Sequence, residues 1–263
     1  MPNFGRTLDS KPQLRPRNKT TAIYWTDGIS RCAVSNDGVP LVYHFPGAMK
    51  PVSTKILFEQ LVEFGSSVNV VLPKCGGADG GGRGAVTSYM DIPGQIAGIF
   101  KMVKAWHAIG HPHEAPVVSS HVIKSGGNFS HSLELMAQLR LVSHRVNDLL
   151  EFADPAHHAA LGKLRTSADR KHEFVRALNS GDPLLMEGRE IMYNRKTGIH
   201  KDGSDPKKGW AVLVVVGHSK AETSISRAST YICGTQTETS LCSEAYCPLY
   251  ARYFLEILCV VPP

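Results

Sequence analysis

The sequence lacks an apolar run near the roughly 18–20 residues that a membrane span needs; the best, Ala211 to Val216, is strand length. No membrane association is therefore expected. No apolar segment follows Met1-Pro-Asn-Phe-Gly-Arg, so a secretory signal is not visible. The expectation is an intracellular protein, nuclear or cytoplasmic and not secreted, with its six cysteines reduced. No CxxC pair occurs among them, which removes the usual zinc-ribbon and thioredoxin spacings. No internal repeat is found. The glycine loop at 76–84 has no Gly-Lys-Ser/Thr ending and no GxGxxG opening a helix, so P-loop and dinucleotide readings fail and a surface loop remains. No serine sits in a G-x-S-x-G elbow, and a hydrolase has no anchor.

What is present is ordinary globular composition. With 42% hydrophobic and 20% charged residues, collagen-like, coiled-coil and fully disordered classes are excluded. The formal charge is +6, and Arg6, Lys11, Arg15, Arg17 and Lys19 crowd the first twenty residues. Such an arm fits phosphate contact with nucleic acid, and it also fits a solvated terminus. His107, His111, His113 and His121 cluster without cysteine or finger spacing, which gives zinc little support.

Periodicity predicts strands at Thr21–Trp25 and Leu41–Phe45, with Asn36-Asp37-Gly38 as the turn between them. A helix is expected over Ser53–Phe64 with Ser53 as its cap, a short strand over Val68–Leu72 and a second helix over Ile96–Ile109. The longest helical pattern is His131–Phe152, broken by Pro155, with two shorter helices to Leu178. After Ser180-Gly181-Asp182-Pro183 the period becomes that of strands, at Arg189–Asn194 and Trp210–Val216.

The chemistry-bearing segment lies between those strands. His200-Lys201-Asp202 is the one His-x-Asp in the chain. Residues i and i+2 of a strand share a face, so an imidazole and a carboxylate at this spacing can grip one metal ion. They supply two-thirds of the facial triad that holds Fe(II) with three positions open. Twelve histidines and eleven aspartates would place about half of one such tripeptide by chance. The context of strand, polar loop and buried strand adds weight, and suits the mouth of a β-barrel.

Glu187-Gly-Arg-Glu-Ile-Met-Tyr-Asn-Arg-Lys-Thr-Gly-Ile-His-Lys-Asp, followed by Gly209-Trp-Ala-Val-Leu-Val-Val-Val-Gly217, resembles the iron-binding core of the TET/JBP-like Fe(II)/2-oxoglutarate dioxygenases of basidiomycete fungi. Ser88-Tyr-Met-Asp-Ile-Pro, Lys104-Ala-Trp-His-Ala-Ile-Gly-His-Pro and Val117-Val-Ser-Ser-His121 resemble that group's N-terminal part. The likeness covers roughly residues 40–217. It implies an α+β chain, with a helix-containing N-terminal part packed on a double-stranded β-helix core. Fe(II) and 2-oxoglutarate are the implied cofactors, His200 and Asp202 the first two iron ligands, and Asn194 and Arg195 contacts for the 2-oxo acid. Modified nucleobases flipped into the pocket are the implied substrates.

The division that follows is a basic arm at 1–20, a dioxygenase-like domain at 21–218 and a divergent tail at 219–263. Within the domain, helical support runs over about 53–178 and strands begin near 187. Past Gly217 the family pattern continues with Phe-x-Gly-Gly-Asp, then a distal histidine and an arginine for 2-oxoglutarate. Here no histidine follows His218, and Arg227 and Arg252 are the arginines left. An unconventional third ligand, such as His121 or Glu187, would then be needed. Back-translated one base earlier from His218, synonymous codons read Phe-Lys-Gly-Gly-Asp-Leu-Tyr-Leu-Pro, as the family pattern requires, so a displaced reading frame is the expected origin of the tail and a genuine lineage-specific ending the alternative. Such a tail is expected to pack worse than the rest. The competing reading is a catalytically inactive remnant or a nucleic-acid-binding protein.

Overall fold

The computed structural model describes residues 28–68, 70, 95–105, 114–194 and 209–217, and the backbone of two strands at 229–234 and 254–260. Helix and strand are mixed. Seven strands form one sheet: β1 (Arg31–Val34), β2 (Pro40–Pro46), β3 (Gly98–Val103), β4 (Gly188–Tyr193), β5 (Trp210–Gly217), β6 (Ser229–Gly234) and β7 (Phe254–Val260). Their order is β1-β2-β6-β5-β7-β4-β3. β7 runs parallel to both β5 and β4, and every other pairing is antiparallel.

The expected turn at Asn36-Asp37-Gly38 joins β1 to β2, with Gly38 at φ +79 and its N–H donating to Ser35 O at 2.9 Å. A left-handed φ is why glycine stands there. The strand expected at Thr21–Trp25 lies outside the described residues.

Six helices are described. Helix α1 (Pro51–Ser67) starts before the expected Ser53, because Pro51 presets its own φ at the first helical position. It buries Leu57, Phe58, Leu61 and Phe64, one stripe at helical spacing. Val68 caps it, and residues 69, 71 and 72 of the strand expected over Val68–Leu72 lie outside the described residues. Then come α2 (Ser120–Ile123), α3 (Gly126–Gln138), α4 (Arg140–Ala153), α5 (Pro155–Lys171) and α6 (Glu173–Gly181). The helix expected over His131–Phe152 is two helices meeting at Leu139, whose ψ of 4° leaves the helical range while its side chain stays fully buried. Asp154 caps α5 by accepting from the His157 N–H at 2.9 Å, and Pro155 begins it.

One expectation is corrected. Ile96–Ile109 is not a helix: Gly98–Val103 is β3, and 106–109 lie outside the described residues. Phe100 and Met102 join the helix-side core while Ile99 and Val103 are buried on the other face. A strand apolar on both faces reads as a continuous run that spacing cannot tell from a helix. Two segments of the tail, β6 and β7, pair with the sheet through their backbones, while the packing expected of its apolar side chains lies outside the described residues.

The helices cover one face of the sheet. Phe100, Met102, Ile191, Tyr193, Trp210, Val212 and Val214 meet them in one core. Gly65 of α1 rests against the Tyr193 ring so closely that a Cβ there would lie 2.7 Å from ring carbon. The Tyr193 hydroxyl donates to Leu61 O at 2.7 Å. Phe64 and Phe100 meet edge to face at 4.9 Å, a contact worth about 0.5–1.5 kcal/mol beyond burial.

Candidate functional site

The segment that carries the metal-ligand motif is anchored at both ends. It leaves β4 through Asn194, which is fully buried at φ 49, in the left-handed region that asparagine tolerates. The Asn194 amide nitrogen donates to Gln95 Oε1 and to Ile96 O, each at 3.0 Å. Both amide hydrogens thus tie the end of β4 to the approach to β3. The segment returns at buried Trp210, whose indole N–H donates to Asp154 Oδ2 at 2.9 Å. Asp154 therefore serves two elements at once, through one oxygen to the α5 cap and the other to the start of β5.

β4 and β5 both pair with β7 in parallel, so they run the same way and stand two strand spacings, about 10 Å, apart. A hairpin cannot join parallel strands; a crossover of a dozen or more residues can. Residues 194–209 supply that length. His200, Asp202 and Arg195 lie within this crossover and outside the described residues, as do His107, His111, His113 and the basic arm at 1–20.

The strand registers align one backbone row across all seven strands, at positions 31, 44, 231, 213, 256, 190 and 101; on the face away from the helices it carries Arg31, His44, Leu213, Glu190 and Lys101. Every position but Leu213 is polar. His44 and Glu190 are buried there, and Lys101 Nζ lies 3.3 Å from Glu190 Oε1. No spacing in the sequence marks this row. Its visible trace is Arg189-Glu190, a charged pair inside an otherwise apolar strand.

His121 stands at the β3 edge of this row. Its Nδ1 accepts the Lys101 backbone N–H at 3.3 Å, and its ring meets Phe100 edge to face at 5.5 Å. Burial first, and the Lys101 charge next, push the imidazole below its ordinary value, against the pull of Glu190. The ring is then neutral with its proton on Nε2. A ligand through Nε2 needs the opposite tautomer, with Nδ1 donating. This arrangement does not fit His121 as the third iron ligand. Glu187 lines a separate cleft beside α5 and α6. Among the described residues no group of three His, Cys, Asp or Glu could hold a metal ion. The donor chemistry of His200 and Asp202 still suits Fe(II), as two ligands of a set of three.

On the helix-covered face a second polar group is fully described. Asp182 Oδ2 accepts from Arg189 Nη2 at 2.6 Å and lies 3.4 Å from Lys104 Nζ, while its Oδ1 accepts from Ser143 Oγ at 2.9 Å and from the Leu184 N–H at 3.1 Å. Burial pushes the carboxyl up, but Arg189, Lys104 and the Leu184 and Ser143 hydrogen bonds together outweigh it and bring it down to about 2. These bonds join β3, β4, α4 and the end of α6.

No helix of the described residues is long and apolar enough to cross a membrane. No family model matches the chain, and no curated protein matches it.

Proposed function

We propose that the chain is an Fe(II)/2-oxoglutarate-dependent dioxygenase-like protein of the TET/JBP-like type, with modified nucleobases as substrate class. In this reading the strands around the motif belong to a double-stranded β-helix core. The observation that carries it is His200-Lys201-Asp202 on a crossover whose two ends, Asn194 and Trp210, are fixed by polar bonds. In this reading His200 and Asp202 hold the metal, and Arg195 contacts the oxo acid. Asn194 acts here by positioning, since its amide hydrogens are committed to Gln95 and Ile96. When bound, Fe(II) and 2-oxoglutarate supply the oxidation of a substrate C–H bond, coupled to decarboxylation of the oxo acid. The basic residues of the first twenty positions supply phosphate contacts.

A second reading, a catalytically inactive remnant that binds nucleic acid through its basic residues, is favoured by one observation. No histidine follows His218, and the His121 tautomer does not replace it. Anaerobic titration of the full chain with Fe(II) separates the two. Saturable micromolar binding, weakened at least about tenfold in His200→Ala and in Asp202→Ala, supports the first. Absence of saturable binding overturns it and leaves the second. Succinate formation from 2-oxoglutarate, measured beside a chain with the frame restored after codon 217, then reads how far the tail impairs turnover.

A further inference from the structure

Beside α5 and α6 lies a cleft of about 190 Å³, with Leu164, Val175 and Met186 among its walls. Its charged lining is Lys104, Arg165, Lys171 and one acid, Glu187; the imidazole of His172 adds to it. Two of the cations converge on one neutral atom. Leu184 O accepts from Lys104 Nζ at 3.1 Å and from Arg165 Nη1 at 2.8 Å, which places the two nitrogens within about 6 Å of each other. A carbonyl oxygen satisfies both donors without cancelling either charge.

The nearby carboxylates are already engaged. Asp182 takes Arg189 and Ser143 besides Lys104, and Asp169 accepts from Asn179 Nδ2 at 2.7 Å. Arg189 Nη1 is buried with no hydrogen-bond partner among the described residues. Lys104, Arg165, Lys171 and Arg189 thus outnumber Asp169, Asp182 and Glu187. Surplus positive charge beside apolar walls costs free energy that a bound anion offsets. The Lys104 ammonium registers the strain. Burial brings it down to about 8, with Arg189 and Arg165 pushing the same way and Asp182 opposing.

We propose that this cleft binds a small phosphate monoester, its phosphate toward Lys104, Arg165 and Lys171 and its apolar body on Leu164, Val175 and Met186. Two converging cations, with the exposed Lys171 also lining the cleft, match a dianion better than a single carboxylate, and a guanidinium fork suits phosphate oxygens. The volume is below the roughly 300–1,000 Å³ of sites for drug-sized ligands, which limits the body to about one ring.

The test is calorimetry on the full chain with phenyl phosphate, inorganic phosphate and phenol as probes. Phenyl phosphate is expected to bind saturably and at least about tenfold more tightly than either fragment. Lys171 is exposed at the end of α5, so Lys171→Glu spares the fold and should weaken binding at least about tenfold. At pH 8 binding should take up protons, read from the dependence of the heat on buffer ionisation, because an anion favours the Lys104 ammonium. Lys104→Met should abolish that uptake. No saturable binding, or affinity unchanged in Lys171→Glu, overturns the site. Equal affinity for inorganic phosphate overturns the assignment to an ester.

Discussion

Arg189 and Glu190 are consecutive residues of β4, both buried, and they face opposite sides of one sheet. Arg189 enters the helix-covered side, where it donates to Asp182 and Ser143, and where Lys104 shares the same Asp182 carboxylate. Glu190 enters the other side, where Lys101, itself about one-third exposed, pairs with it at the sheet edge. The first group ties four elements together through one carboxylate. The second is one position in a polar row that crosses all seven strands. One strand thus carries a structural brace on one face and the more adaptable chemistry on the other, and the difference follows from the pleat.

The largest expected effect tests the brace. Asp182→Asn leaves Arg189 and Lys104 buried without their anion, and should lower stability by about 3–5 kcal/mol in urea unfolding. The pH profile carries the same signature. Asp182 is held at about 2, below its ordinary value, so its contribution is complete above that ordinary value and is lost as pH falls toward 2. Lys104 is held at about 8, also below its ordinary value. Between pH 8 and that value the unfolded chain binds more protons, so stability should rise with pH there. Asp182→Asn should flatten the acid limb, and Lys104→Met the alkaline one. Unchanged limbs would mean that the brace does not hold the two faces apart in this way.

Next in size is the contact between α1 and β4 on the same face. Gly65→Ala brings a Cβ to 2.7–2.9 Å from the Tyr193 ring, which α1 and the Leu61 hydrogen bond hold in place. A loss of about 1–3 kcal/mol is expected from thermal unfolding. A neutral outcome would show that the helix layer gives way more easily than the brace suggests. On the opposite face, Lys101→Met leaves the buried Glu190 carboxylate without this ammonium, but the ammonium is partly in water, so about 1–2 kcal/mol is expected in the same measurement, below Asp182→Asn. A cost matching that of Asp182→Asn would erase the contrast between the faces.

Periodicity located α1, the α4–α6 region, β4 and β5, because each shows an apolar stripe with Pro, Asp or Gly at its ends. It failed at β3, where Ile99, Phe100, Met102 and Val103 serve two buried faces and leave no alternation to read. It failed again at Leu139, whose side chain continues the apolar stripe while its backbone breaks it. The brace was invisible because Lys104, Ser143, Asp182 and Arg189 are scattered along the chain and meet through tertiary packing alone. The polar row needed strand order and register, neither of which a single sequence supplies. His200-Lys201-Asp202 was legible because its chemistry depends on a spacing of two. The role read for Asn194 needed the fold, since Gln95 and Ile96 lie a hundred residues away in sequence.

The finest distinction is the difference between two variants of Asn194, which separates positioning from ligand contact. Two changes act on it in opposite directions. Replacing it removes two amide hydrogen bonds and leaves the Gln95 and Ile96 oxygens to find other donors, a loss of about 1–3 kcal/mol for a buried group. Its φ of 49 favours glycine over any residue with a Cβ. Asn194→Ala bears both costs, the lost bonds and a left-handed backbone, whereas Asn194→Gly bears the first and is relieved of the second. The two variants should therefore differ by about 1 kcal/mol in urea unfolding, with alanine the less stable. If Asn194 acts by positioning, Fe(II) affinity should follow this same order, because each variant loosens the end of β4 from which the His200 crossover departs. Equal stabilities with a common loss of 2-oxoglutarate binding would instead place its amide on the oxo acid and free it from the strand end.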